Sequence, residues 1–183
     1  MTTRDFDPLS LDVTAFAKAA GQLDGRRPLT QLERLGGSAV SDALPAGGVD
    51  VAWSARGELR ALRAGENQVW LHLTAATRLP LECQRCLQPL DTPLAIDRSF
   101  LFVHGEDAAA QLDADGEDDV LALTRSLDLR ELVEDELLLA LPLVPRHDVC
   151  PEPLHAPAAG EPLDEKPNPF AALAALKRST PSN

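Results

Sequence analysis

Between Gly48 and Phe102 the side chains change character at every second residue. Val49, Val51 and Trp53 alternate with Asp50, Ala52 and Ser54. Val69, Leu71, Leu73, Ala75 and Thr77 alternate with Gln68, Trp70, His72, Thr74 and Ala76. Leu94, Ile96, Phe100 and Phe102 share one parity, with Arg98 as the interruption. A period of two sends successive side chains to opposite faces of a strand, so one parity is buried and the other wet. Ala55-Arg56-Gly57 reads as a turn into a further strand from Glu58 to Arg63, and Ala64-Gly65-Glu66-Asn67 as the next turn. Four such segments in a row predict an antiparallel meander with one buried face. Apolar residues make up 44% of the chain but aromatics only 4%, with no tyrosine, so the core rests on Leu, Val and Ala. Trp53 and Trp70 are expected in the core or at its rim.

Helical signals flank the sheet. Ser10 is placed to cap a helix from Leu11 to Ala20 that Gly21 closes, and a second short piece, Leu29 to Leu35, ends at Gly36-Gly37. Arg26, Arg27 and Arg34 read as a solvated face. Val120 to Leu123 predicts one more strand. Asp128-Leu129-Arg130-Glu131 has the form of a capping box, opening a helix to about Leu141 that Pro142 stops. Its stripe of Leu129, Leu132, Val133, Leu137 and Ala140 is a packing face. Glu131, Glu134 and Asp135 lie to the side and favour the helix dipole rather than catalysis. The expected fold is α+β: an antiparallel β-meander, as a small sandwich or partly open barrel, with a packed helix and short terminal helices. Three regions follow. Residues 1–47 hold short N-terminal helices; 48–150 form a β-rich core domain with a CxxC hairpin tip, an acidic loop at 104–119 and the helix 129–141; 151–183 form a proline-rich flexible tail with a short helix at 169–178.

The chemistry-bearing residues sit at the hairpin tip. Arg78 to Pro93 reads as a long loop, stiffened by Pro80, Pro89 and Pro93 and carrying Cys83 and Cys86. Far downstream, His147 precedes Cys150 by the same spacing of three positions. A C-x2-C turn converges two thiolates on one point, and a second pair, H-x2-C, completes a tetrahedron for zinc. Cys83, Cys86, His147 and Cys150 are therefore the candidate metal ligands, and the cofactor they fit is Zn. With all four positions filled by protein, no coordination site stays open for a hydrolytic water. The other readings are three ordinary cysteines in a fold held by apolar burial alone, or a thiol redox protein using Cys83 and Cys86. A redox CxxC normally opens a helix, whose dipole lowers the thiol pKa, whereas Leu87-Gln88-Pro89 opens none. Three cysteines are an odd number, which opposes a disulfide framework. Met1 to Asp5 has no signal-peptide apolar core, and the apolar run from Leu137 to Val144 is too short to span a bilayer. The expected setting is the cytoplasm, with no membrane contact.

Charge bears on partners. The net charge is −12, and Glu106, Asp107, Asp113, Asp115, Glu117, Asp118 and Asp119 face no basic residue between His104 and Asp119. Direct RNA contact is disfavoured by this balance and a basic protein favoured. The acidic segment reads as a solvated linker. Near the end of the chain, Asn168 caps a short helix with Pro169 at its first position. Phe170, Leu173 and Leu176 give that helix one apolar edge, and with Asn168 they are the candidate partner-binding residues.

Four blocks carry a resemblance. Leu81-Glu82-Cys83-Gln84-Arg85-Cys86, then Val133 to Pro142, then Val144-Pro145-Arg146-His147-Asp148, and finally Lys166 to Ala171 with Leu173 and Leu176-Lys177 resemble the YceD family, the bacterial large ribosomal RNA subunit accumulation proteins. The resemblance implies a non-enzymatic factor for the synthesis, processing or stability of 23S ribosomal RNA, and hence large-subunit biogenesis. It implies partners among large-subunit assembly intermediates or basic ribosomal proteins, and it names no catalytic residue. Relatives look as if they carry a second cysteine pair near Cys150. Here Pro153 stands at the expected cysteine, and His147 is the substitute ligand.

Overall fold

The computed structural model describes residues 6–61, 67–116 and 118–151. The candidate partner residues Asn168, Phe170, Leu173 and Leu176, and the helix expected at 169–178, lie outside the described residues, as does most of the turn expected at 64–67. The architecture is α+β. An open five-stranded sheet runs in the order β1 (Gln22–Pro28), β2 (Asp50–Arg60), β3 (Gln68–Glu82), β4 (Pro89–Val103) and β5 (Asp119–Ala122). Among the described residues four α-helices accompany it: α1 (Val13–Lys18), α2 (Glu33–Gly36), α3 (Glu106–Asp115) and α4 (Leu129–Leu139). The first four strands form the antiparallel meander that the alternation predicts, but β5 pairs in parallel with β4, so the sheet is mixed. The reason is α3, which carries the chain back across the sheet as a parallel connection requires.

Residues 1–47 supply more than helices. β1 pairs along its length with β2, from Gln22 opposite Arg56 to Pro28 opposite Asp50. It escapes the sequence pattern because it is an edge strand, dressed in Asp24, Arg26, Arg27 and Pro28 rather than in apolar residues. Helix α1 starts later than expected. Asp12, not Ser10, is its cap, accepting from the Ala15 N–H at 2.9 Å, while Ser10 shares a hydrogen bond with Ser126.

β2 runs straight through Gly57, where a turn was expected. The glycine serves close approach instead: a Cβ there would lie 2.8 Å from the Ala17 backbone and the Phe16 ring. Phe16 is fully buried and Ala17 nearly so, which makes this contact the seat of α1 on the sheet. Gly57→Ala is expected to destabilise the protein by about 1–3 kcal/mol through overpacking. The check is a lower urea midpoint at unchanged slope.

The hairpin of β3 and β4 is also longer than the sequence suggests. Pairing continues from Val69 opposite Phe102 to Glu82 opposite Pro89, so the expected loop from Arg78 to Pro93 shrinks to the turn at its tip. The prolines are tolerated by register. Arg78–Pro93, Pro80–Asp91 and Glu82–Pro89 are pairs of one parity, and the Pro80 carbonyl points away from β4 to accept from Val40 N–H at 2.7 Å. At such positions the ladder asks for no N–H.

The main core lies between one face of the sheet and α1, α2 and α4, with Leu71, Leu73, Leu79, Leu129, Val133 and Leu137 buried. The opposite face is buried at one end only. There Trp70, Leu101 and Val120 pack under Ala109 of α3, so the acidic segment expected as a solvated linker is mostly a helix. Three alanines in succession favour that helix, and Glu106 and Asp107 meet its N-terminal dipole. Elsewhere this face is polar and stitched across strands: His72 bonds Glu58 of β2 at 2.6 Å and Ser99 of β4 at 2.8 Å.

Helix α4 has the expected cap, Asp128 accepting from the Arg130 and Glu131 N–H groups. Glu134 departs from expectation. It is buried, at 8% exposure, and its Oε1 accepts from Arg34 N–H at 2.8 Å and Leu35 N–H at 3.1 Å. Arg34 is not simply solvated, because its guanidinium pairs with Glu134 at 3.1 Å and Asp135 at 2.6 Å.

Candidate metal centre

Two short pieces of chain meet here. The first is the turn between β3 and β4, closed by Cys83 N–H to the Gln88 carbonyl at 3.0 Å and Leu87 N–H to the Cys83 carbonyl at 2.8 Å. Leu87 takes a positive φ of 61° to complete the bend, a conformation few non-glycine residues adopt. The second is the segment after α4, whose Pro145 carbonyl accepts from Gln84 N–H at 2.9 Å. That bond lays His147 and Cys150 over the two cysteines of the turn.

The four expected ligands converge. Cys83, Cys86, His147 and Cys150 offer ligand atoms that all lie within 4.8 Å of one another. Cys83 Sγ is 3.9 Å from Cys150 Sγ, and Cys86 Sγ is 3.4 Å from His147 Nδ1. A regular tetrahedron with metal–sulfur bonds of about 2.3 Å and a metal–nitrogen bond of about 2.0 Å has S···S edges of about 3.8 Å and S···N edges of about 3.5 Å. These two distances match such edges, and every other pair stays within 4.8 Å. The donor set of three soft thiols and one imidazole suits Zn²⁺, so the residues present fit the ion.

The surroundings act in opposite directions on the two cysteines of the turn. Burial alone would raise the Cys83 thiol, but N–H groups of His147, Arg85 and Cys86 outweigh it and bring the group down to about 5. Cys86 goes the other way: burial, reinforced by the Cys150 and Cys83 sulfurs, pushes it up to about 11 against the backbone bond from Gln88. A metal taken up at Cys86 would therefore displace a proton. Arg85 sits between the two cysteines in sequence and locks the site from outside. Its Nε donates to Cys150 Sγ at 3.0 Å, and its Nη2 to the His147 and Asp148 carbonyls at 2.7 and 3.2 Å. The motif reading did not single out Arg85; the only signal was a cation inside the CxxC. Arg85→Ala is expected to lower zinc affinity by about 10–100-fold while leaving the far-UV circular dichroism unchanged, as measured by competition with a chromogenic chelator.

The sequence model of the family described as "Large ribosomal RNA subunit accumulation protein YceD" matches residues 71–177. The chain belongs to the YceD family. The YceD match takes in both halves of the four-residue cluster. A YceD relative from Haemophilus influenzae, named "Large ribosomal RNA subunit accumulation protein YceD", is 33% identical over 176 residues. That alignment covers 93% of this chain and 96% of the relative, so the kinship extends well ahead of the motif blocks that begin at Leu81. No solved structure matches. Among the described residues, no helix is long and apolar enough to cross a membrane.

Proposed function

We propose that this chain promotes the accumulation of large-subunit ribosomal RNA by binding an assembly intermediate or a basic ribosomal protein, without catalysing a reaction. The observation that carries the reading is kinship along nearly the whole chain with a protein named for that role. Its locale is the cytoplasm, where large-subunit RNA is made in bacteria. The geometry supports a binding role. Cys83, Cys86, His147 and Cys150 would supply four ligands to a zinc ion and fill its coordination sphere, and the bound ion would act as a structural tie rather than as a Lewis acid. What the tie presents is surface. Leu143 is fully exposed and Val149 85% exposed on the segment it pins, Val144 on that segment is exposed too, and so is Leu87 beside Cys86 in the turn. Exposed apolar side chains on the two pieces of chain that carry the four ligands suit a partner contact. The tail residues Asn168, Phe170, Leu173 and Leu176 are proposed as a second grip.

The test is depletion of the protein in growing cells, with the large and small ribosomal RNA pools compared. A fall in the large-to-small ratio is expected, and an unchanged ratio contradicts the role. Crosslinked material recovered with the protein, scored for ribosomal RNA against ribosomal proteins, then separates a protein partner from direct RNA contact.

A further inference from the structure

We propose that the four-residue cluster is a thiol modification site, in which peroxide joins Cys150 to Cys83, expels the metal and leaves a disulfide in its place. The proposal deepens the metal reading and concerns the regulation of that site. Three observations carry it. First, access is unequal: Cys83 and Cys86 are buried, while Cys150 is partly exposed. A small oxidant therefore meets Cys150 first. Second, Arg85 Nε lies 3.0 Å from Cys150 Sγ, which places a positive charge beside the hydroxide that leaves this sulfur. Third, a resolving thiol is within reach of Cys150. Cys83 Sγ faces Cys150 Sγ at 3.9 Å, whereas Cys86 Sγ is engaged with His147 Nδ1 at 3.4 Å. Closing to a disulfide bond of about 2.05 Å asks for a movement of roughly 2 Å from a segment with no helix or strand of its own.

The chemistry balances. The Cys150 thiolate attacks one peroxide oxygen, the O–O bond breaks and hydroxide departs, leaving a sulfenic acid. The Cys83 thiolate attacks that sulfur, the S–S bond forms, the S–O bond breaks and a second hydroxide departs. Two electrons pass from two thiolates to one peroxide. A bound zinc ion would be left with Cys86 and His147 as its only protein ligands and would be released as Zn²⁺. The hairpin tip and the segment after α4 stay tied, now by a covalent bond.

The experiment uses the full chain purified without chelator and treated with hydrogen peroxide. Released zinc is read with a chromogenic chelator, and cysteine state by alkylation and peptide mapping without reduction. The expected result is a peptide linking Cys83 to Cys150, Cys86 alkylated, one zinc released per disulfide, and reversal by dithiothreitol with added zinc. Cys150→Ser is expected to form no intramolecular disulfide under the same treatment. A dominant Cys83–Cys86 or Cys86–Cys150 link, a link between chains, or oxidation of Cys150 to sulfinic acid without a disulfide overturns the proposal. A chain purified without metal refutes the zinc reading, and the peptide map then still decides which sulfurs pair.

Discussion

Serine in place of Cys83 is expected to leave the purified protein without bound metal, and to make its melting temperature indifferent to chelator. Cys83 is the centre of the cluster: it is fully buried, meets Cys150 Sγ and accepts the His147 N–H at 3.5 Å. A hydroxyl in its position stays protonated at neutral pH and offers zinc a poor ligand. The wild-type chain, in contrast, is expected to lose stability when chelator is added. A ligand held by the native state alone contributes about 4 kcal/mol when its free concentration is 1,000-fold above Kd. The loss is local in structure. Leu71, Leu73, Val133 and Leu137 keep the sheet and α4 together whether or not the ion is present. Residues 142–150 should therefore become protease-sensitive and exchange their amide protons, while the far-UV spectrum barely changes. Wild-type protein with no metal, or with a melting point that ignores chelator, would refute the tie.

Removal of the Glu134 carboxylate should have the largest effect outside the metal centre. One oxygen of Glu134 accepts the N–H groups of Arg34 and Leu35, at the first turn of α2, and Leu35 is fully buried. In Glu134→Ala these donors lose their acceptor, at a cost of about 2–3 kcal/mol. Glu134→Gln keeps an oxygen in the same place and loses only the charge-assisted part, about 1 kcal/mol. Chemical denaturation of the two variants separates these outcomes, and equal losses would show that the charge on Arg34, not the capping of α2, is what matters. Because Arg34 also pairs with Asp135, it is not left without a partner in either variant.

These two sites differ in how far the sequence shows them. The candidate metal ligands announce themselves, because two pairs of Cys and His donors at equal spacing are rare by accident and a tetrahedron needs both. Glu134 does not. Its neighbours Glu131 and Asp135 look the same in sequence, and only the docking of α2 on α4 decides which acid is buried. The strands follow the same division. β3 and β4 are legible from alternation through their apolar parity, but not where Pro80, Pro89 and Pro93 mask it, since tolerance of proline depends on register against a partner strand. β1 is silent because an edge strand wears polar residues on both parities. Gly57 misleads for a different reason: glycine marks a turn and a close contact equally well, and the contact is with α1, a helix some forty residues earlier in the chain. Helix α3 hides behind its acidity, which describes its wet face and not Ala109, buried under it.

Leu11 and Leu127 exchange backbone hydrogen bonds at 2.8 and 2.9 Å, and Leu129 N–H reaches the Pro8 carbonyl at 2.9 Å. The neighbouring pair Ser10 and Ser126 stands 116 residues apart. A ribosome adding roughly 5–20 residues per second takes on the order of ten seconds to cover that separation. Throughout that interval Pro8 and Leu11 lack these backbone partners. The segment from Pro8 to Leu11 is thus among the last parts to settle, and holdase chaperones have those seconds in which to bind it.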